Sequence, residues 1–317
     1  MRQPERQKAC AAALIALLAV ACAPTEAPEA ESNAPGAAEN NAETDKEGAP
    51  EGRKPAPREE RLVTLGGTVT ETVFALGAGD TVVAVDASSL YPEAVMKLPR
   101  VGYYRKISAE PLLALRPTRV LAEEGAGPEA ALEQLRAAGV DVRLIGSEPT
   151  VASARAHITT VAEAIGAPDE ATALIAKLDA DLKEAAEARA AIKAAPKVLF
   201  IYARGMKTLM VAGTDTPADA MIKLAGGENA VTGFEGFKPL TPEAVVEANP
   251  DVVLIPERGL ESLGGGLWDL PGLAQTQAGK KKAHIALDDL KLLGFGPRMG
   301  EALVELSAAL RDVEEAR

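Results

Sequence analysis

The sequence predicts an α/β fold of two similar lobes, each with a largely parallel sheet, joined by a long rigid helix. Three observations carry that expectation. Short apolar, strand-like runs alternate with helical patterns from Arg61 to about residue 146. Two blocks of the pattern then return: "SAEPLLALRPTRVLA" (108–122) is echoed by "TPEAVVEANPDVVLI" (241–255), and "ETVFALGAGDTVVAV" by "ADAMIKLAGGENAVTG". Between the copies lies "PDEATALIAKLDADLKEAAEARAAIKAAP" (168–196), made almost wholly of strong helix formers with a proline at each end.

From the N-terminus, residues 1–22 read as a leader. "MRQPERQK" is basic, and "AAALIALLAVA" is apolar but too short for a comfortable membrane span. "LLAVAC" resembles a bacterial lipobox, which would make Cys22 the acylated N-terminus of a membrane-anchored lipoprotein. Ala19 stands where that pattern usually has Leu. Several acyl chains on one residue anchor stably where a single chain does not. The other cysteine, Cys10, falls in the removed segment, which leaves no thiol for a disulfide, a nucleophile or a thiolate metal site. Residues 23–60 are rich in Pro, Ala, Glu and Asn and hold ten acidic and four basic residues. Such a segment cannot bury enough apolar surface to offset its ordering entropy, so it is expected to be a disordered tether reaching about 35 Å.

The first lobe is expected over 61–167. "RLVTLGG" reads as strand and turn, "TVTETVFALGAG" as a helix closed by glycines, and "DTVVAVD" as the next strand. The echoed block opens in each copy on a residue suited to cap a helix, Ser108 or Thr241. Glu110 or Glu243 follows two residues on, then a short helix, a terminating Pro117 or Pro250, and an apolar strand. Copies this far apart fit two lobes rather than a solenoid. The connecting helix over 168–196, with about 25 helical residues, would span roughly 37 Å as a stiff connector. The second lobe is expected over 197–317.

Apolar residues make up 47% and charged residues 25%, as in ordinary globular chains, while aromatics are only 3%. Cores must therefore be built from aliphatic side chains. A net charge of −12 argues against a nucleic-acid binder, which needs a concentrated basic face. Two lobes on one rigid helix, tethered outside the cell membrane, describe a binding protein better than an enzyme.

The motifs "DASSLYP" (86–92), "LPRVGYYRKISAEPLLALRPT" (98–118), "MVAGTDTPADAMIKLAGGENAV" (210–231), "GFKPLTPEAV" (236–245) and "LDDLKLLGFGPRMGEAL" (287–303) resemble those of substrate-binding proteins of ABC importers with a helical backbone. More narrowly, they resemble the haemin-binding proteins of bacterial haem importers. The resemblance implies haem as the transported ligand, an ABC permease as partner, an extracytoplasmic location and a monomer. It implies Tyr103 as the axial iron ligand through its phenolate, supported by Arg105.

Physics makes that pair sensible. In an extended loop, residues two apart project to one side, and ferric iron and a guanidinium both favour a phenolate over a phenol whose pKa is near 10. Alternation alone does not choose the tyrosine, since Tyr104 and Lys106 share the spacing; with Tyr103 as the ligand, Tyr104 is expected to point to the other side, as packing or as a second haem contact. Two propionates and a flat apolar face call for cations at one edge of the pocket and apolar walls. Lys106, Arg204, Lys207, Lys238 and Arg298 are the candidate cations. Some family members carry a histidine where Arg204 stands, so Arg204 and Tyr202 are left as contacts to the distal face or to a propionate. Glu110 and Glu243 are implied as docking points, one per lobe, for permease arginines. As first-turn acids they also suit the helix dipole.

His157, in a helical stretch, and His284, in a predicted strand, read as structural or exposed. Two histidines and no remaining cysteine argue against a zinc or manganese carrier. A cobalamin or ferric-siderophore binder would share the lobes and the docking glutamates without needing the GY-x-R segment. A haem-processing or metal-inserting enzyme on a related fold would need a nucleophile-base pair or paired histidines, and neither is seen in the sequence.

Overall fold

The structure, a computed structural model, describes residues 59–317, so Cys22, the leader and most of the tether lie outside the described residues. The first sheet is built from β1 (Leu62–Leu65), β2 (Val82–Val85), β3 (Arg119–Glu123) and β4 (Asp141–Ile145). Their crossovers carry α1 (Gly67–Ala75), α2 (Ala109–Ala114) and α3 (Glu129–Ala137). The strand order is β2-β1-β3-β4, and every neighbouring pair is parallel. Two helices follow, α4 (Val151–Ile165) and α5 (Pro168–Ala190).

The second sheet holds β5 (Lys197–Ala203), β6 (Leu209–Ala212), β7 (Glu228–Asn229), β8 (Phe237–Pro239), β9 (Val252–Pro256) and β10 (His284–Leu287). Its helices are α6 (Pro217–Ala225), α7 (Pro242–Ala248), α8 (Glu257–Ser262), α9 (Gln277–Lys281), α10 (Asp289–Leu293) and α11 (Met299–Glu315). Strands β7, β5, β9 and β10 pair in parallel. Their order, β7-β5-β9-β10, repeats β2-β1-β3-β4 of the first sheet. The sequence echo is thus a topological one. The second lobe adds an antiparallel extension, β6 against the C-terminal half of β5 and β8 against β6.

Local chemistry explains the echoed helices, with one difference between them. Thr241 caps α7 by accepting from Ala244 N–H at 3.3 Å, whereas Ser108 occupies the cap position of α2 without a side-chain bond. The α5 helix opens on Pro168, whose fixed φ and missing N–H suit a first turn.

The connecting helix is more than a spacer. Its buried residues Ala171, Leu178 and Ala185 recur every seven positions and form one seam. That seam belongs to a continuous core running from Val69, Val73 and Ile158 in the first lobe to Met221, Leu303 and Leu306 in the second. At Gly300 the backbone of α11 comes so near α5 that an added Cβ would lie 2.6 Å from Asp181 Cβ and 3.1 Å from the Leu178 carbonyl. The lobes also have private cores on the outer sheet faces, around Leu132 and Leu135 in one and Leu199 and Ile201 in the other.

Because one core runs through both lobes, urea should unfold them in a single transition, with probes in either lobe coinciding. Leu178→Ala should lower the stability of both together by about 2–5 kcal/mol. Two separated transitions would contradict the shared core.

Candidate functional site

Parallel strands end on a common edge, and ligands in open α/β sheets sit beyond their carboxyl ends. In the first lobe that edge carries Gly66–Gly67 after β1, Asp86 after β2 and Glu123–Gly125 after β3. In the second it carries Arg204 after β5, Arg258 after β9 and Asp289 after β10. The two edges meet: the Leu290 side chain packs on Gly67, where a Cβ would fall 2.9 Å from it, and Thr68 Oγ1 donates to the Gly294 carbonyl at 3.1 Å.

Asp86 organises the first edge. It is fully buried, and its carboxylate accepts from Gly66 N–H (3.1 Å), Ser88 N–H (3.0 Å), Ser88 Oγ (2.7 Å), Ser89 Oγ (2.7 Å) and Tyr104 N–H (3.2 Å). Five donors satisfy a carboxylate that burial would otherwise leave without partners. A buried hydroxyl chain continues from Ser89 through Thr70 to Thr64 at 2.6 and 2.7 Å.

The Tyr104 bond to Asp86 fixes where the two tyrosines go. Tyr103 is still extended (φ −93°, ψ 130°), but Tyr104–Lys106 form a 3-10 turn closed by Lys106 N–H on the Tyr103 carbonyl at 2.7 Å. The expectation of an extended segment through Arg105 is therefore corrected. The Asp86 anchor and the bonds joining Tyr104 to Gly127 and Ile107 to Gly127 bend the chain one residue earlier. Tyr104 turns inward and is 7% exposed, in the core with Ala126 and Leu112, while Tyr103 is left 45% exposed. The rings meet edge to face with centroids 4.9 Å apart.

Arg105 closes over the pair. Its Nε donates to Tyr104 Oη at 2.9 Å, and its guanidinium lies 5.0 Å from the Tyr104 ring centre. Gly125, at φ +83°, leaves room for it: a Cβ there would sit 3.3 Å from Nη1. The Tyr104 bond holds Arg105 above its ordinary pKa against the effect of burial, with Tyr103 adding to it. Burial foremost, then the Glu123 charge, pushes the Tyr104 phenol up to about 12 in spite of Arg105. Burial also raises the Glu123 carboxyl, which a Ser147 bond and Arg105 partly offset.

The second lobe presents a similar clasp. Arg204 Nε donates to Tyr202 Oη at 2.7 Å and its guanidinium stands 5.1 Å from that ring. Beside it, Asp289 accepts from Arg258 N–H at 3.2 Å. Burial raises the Asp289 carboxyl, against the Arg258 bond and the Arg204 charge. Gly205 N–H donates to Ser262 Oγ at 2.9 Å, tying the Arg204 turn to α8. Lys106 and Lys207 are exposed, and Lys238 is exposed with its Nζ 4.5 Å from the Phe234 ring centre.

Arg298 is placed differently from expectation. Its guanidinium is taken up by Glu71 (2.7 and 2.9 Å) and Asp288 (3.0 Å) and lies 3.6 Å from the Tyr91 ring centre. Glu71 is almost wholly buried and requires a counter-ion. Burial raises its carboxyl and Arg298 pulls it back; Arg298 itself ends above its ordinary value although burial acts to lower it. Arg298 is thus a structural cation joining the lobes. Asp86 and Glu71 were absent from the expected site. The signal for Asp86 was present, since Asp followed by serines two and three positions on favours side-chain-to-backbone turns. No local pattern marks Glu71.

Glu110 and Glu243 stand exposed in the first turns of α2 and α7. His157 is buried in α4 with Nδ1 3.0 Å from the Gly146 carbonyl, and burial lowers its pKa. His284 is exposed on β10 beside Trp268. Among the described residues no group of His, Cys, Asp and Glu has metal-binding geometry, and no helix is long and apolar enough to cross a membrane.

The two-lobed fold is that of a binding protein, and the chain belongs to the periplasmic binding protein family, whose model matches residues 62–290. Among solved structures it is similar to the periplasmic heme-binding protein RhuT from Roseiflexus in apo form. That likeness has 46% identity and a TM-score of 0.77, covering 81% of this chain and 99% of the other. It is also similar to the periplasmic heme-binding protein BhuT in complex with two hemes, with 43% identity, a TM-score of 0.76, and coverage of 80% and 99%. A vitamin B12-binding protein of Yersinia pestis is 30% identical over 203 residues, 63% of this chain and 71% of the relative.

Two measurements check the site. Asp86→Ala strands three backbone N–H donors and should cost about 3–5 kcal/mol, read from urea unfolding. In an ultraviolet titration of the folded protein, one phenol should ionise only near pH 12, and Tyr104→Phe should remove it. The native pKa lies above that of a free phenol, so this group's contribution to stability is complete below about pH 10 and is lost as pH rises toward 12.

Proposed function

We propose that this protein captures haem between its two lobes and delivers it to an ABC permease. The observation that carries the reading is the division of labour in the tyrosine pair. Tyr104 is buried and held as a neutral phenol, whereas Tyr103 stands half exposed on a rigid turn at the sheet edge with Arg105 beside it. Of the two, only Tyr103 is presented outward for an iron atom, and tyrosine is one of the axial ligand types that haem iron takes. Tyr202 and Arg204 supply the opposing wall, for the distal face or a propionate, and Lys106 is a further propionate contact. The similarity to haem-binding structures over four fifths of the chain supports the ligand class.

Capture and delivery need no bond to be made or broken within haem. Affinity comes from iron–phenolate coordination and burial of the apolar macrocycle. Glu110 and Glu243, exposed at equivalent points of the repeated topology, suit two-fold docking on permease arginines. Cys22 would anchor the monomer to the membrane through its lipid. The sister reading, a cobalamin binder, has the Yersinia relative in its favour, but that likeness covers less of the chain at lower identity.

Titration with haemin should produce a tight absorbance band with a phenolate-to-iron charge-transfer feature. Tyr103→Phe should abolish that feature and Tyr104→Phe should keep it. Arg105→Gln should weaken affinity by about ten- to a hundredfold, the usual scale for a group that supports a metal ligand. Binding of cobalamin without haemin, or a Tyr103→Phe spectrum identical to wild type, would overturn the assignment.

A further inference from the structure

Resting on Tyr103 as the iron ligand, we infer that Tyr91 and Arg298 are positioning residues that strap the Tyr103 loop to the opposite lobe and slow haem release. The loop leaves β2 at Asp86 and returns at Gly102. Its neck is closed by Val85 N–H on the Pro99 carbonyl (3.0 Å), Val101 N–H on the Val85 carbonyl (3.0 Å) and Ala87 N–H on the Gly102 carbonyl (2.6 Å). Arg100 Nη1 adds a bond to the Asp86 carbonyl at 3.1 Å. Midway round the loop, Val95 is fully buried in the shared core. Neck, Val95 and Asp86 together make the loop one rigid piece, with Tyr103 directly beyond the neck.

Tyr91 lies within this piece, between Asp86 and Val95 in the chain. It is 42% exposed, yet the Arg298 guanidinium lies 3.6 Å from its ring centre. Arg298 comes from the second lobe, at the start of α11, and the same guanidinium holds Glu71 of α1 and Asp288 before α10. One cation therefore fastens α1, the loop and the α10–α11 corner together. The contact with Tyr91 uses the ring face, the attractive geometry for a cation over an aromatic. Close-packed parts transmit displacement rather than absorb it. Moving the second lobe away from the first must then either break the Tyr91 contact or draw on the loop whose neck carries Tyr103. The strap holds the loop itself, and the proposed iron ligand follows directly on its neck.

The test follows haem transfer from the loaded full-length protein to excess apomyoglobin, well below the melting transition. Tyr91→Leu removes the ring face and keeps apolar bulk; Tyr91→Phe keeps the face. We expect Tyr91→Leu to release haem about fivefold faster, the scale of one cation–π contact, and Tyr91→Phe to release it at the wild-type rate. The bound absorbance spectrum should be the same in all three, because Tyr103 still ligates. A purely structural role would lower the apo melting temperature and leave the release rate unchanged; that result overturns the strap, as would equal acceleration by Leu and Phe. If wild-type protein takes up no haem, the proposed function itself fails and the strap with it. If wild type binds and Tyr91→Leu releases at the same rate, only the strap fails.

Discussion

The carboxylate of Asp86 accepts five hydrogen bonds from four residues in a space closed to water. The first lobe's functional edge depends on it. Gly66 begins the turn into α1, Ser88 and Ser89 begin the long loop, and Tyr104 begins the turn that carries the proposed ligand. These three stretches converge because a buried carboxyl group must be surrounded by hydrogen-bond partners, and the backbone supplies most of them. The inward course of Tyr104 and the outward course of Tyr103 follow from the Tyr104 N–H bond to Asp86 together with the backbone bonds of Tyr104 and Ile107 to Gly127.

The second constraint is the unity of the core. Two lobes on separate cores would be free to move, and the connecting helix would be their only link. Here the seam of Ala171, Leu178 and Ala185 joins cores from both sides, and Gly300 lets α11 lie against α5. The ion pair of Glu71 with Arg298 crosses the same junction. Together these features join the two lobes along one junction. They also spend Arg298 on structure, so that the cations left for a ligand are those on the sheet edges.

Much of the fold was readable from residues close together in the chain. Pro168, the helix formers after it and Pro196 announced the connecting helix, and the echo of 108–122 in 241–255 announced the second lobe. Both rest on short-range propensity and periodicity. The echo even extended to strand order, although the antiparallel β6 and β8 addition left no matching signal, because hairpin pairing depends on partners outside the repeated blocks. At the site, the residue types were legible and their directions were not. Alternation offered Tyr103 with Arg105 or Tyr104 with Lys106, and the observed turn breaks that alternation. Arg298 stood in a recognisable segment, yet nothing near it foretold Glu71.

By itself, then, the sequence determined the alternation of strands and helices, the capped and proline-bounded helix ends, the repeat, and the clustering of tyrosines with an arginine at two points of the chain. These depend on interactions within a few residues. The tertiary structure alone decided which phenol faces outward, which arginine is taken up by carboxylates and how the lobes are joined. Those outcomes rest on bonds between residues 18 positions apart, as for Asp86 with Tyr104, and 227 apart, as for Glu71 with Arg298. Pairings across such distances exist only once the core has closed, because burial is what makes an unpaired charge or donor costly enough to dictate its partner.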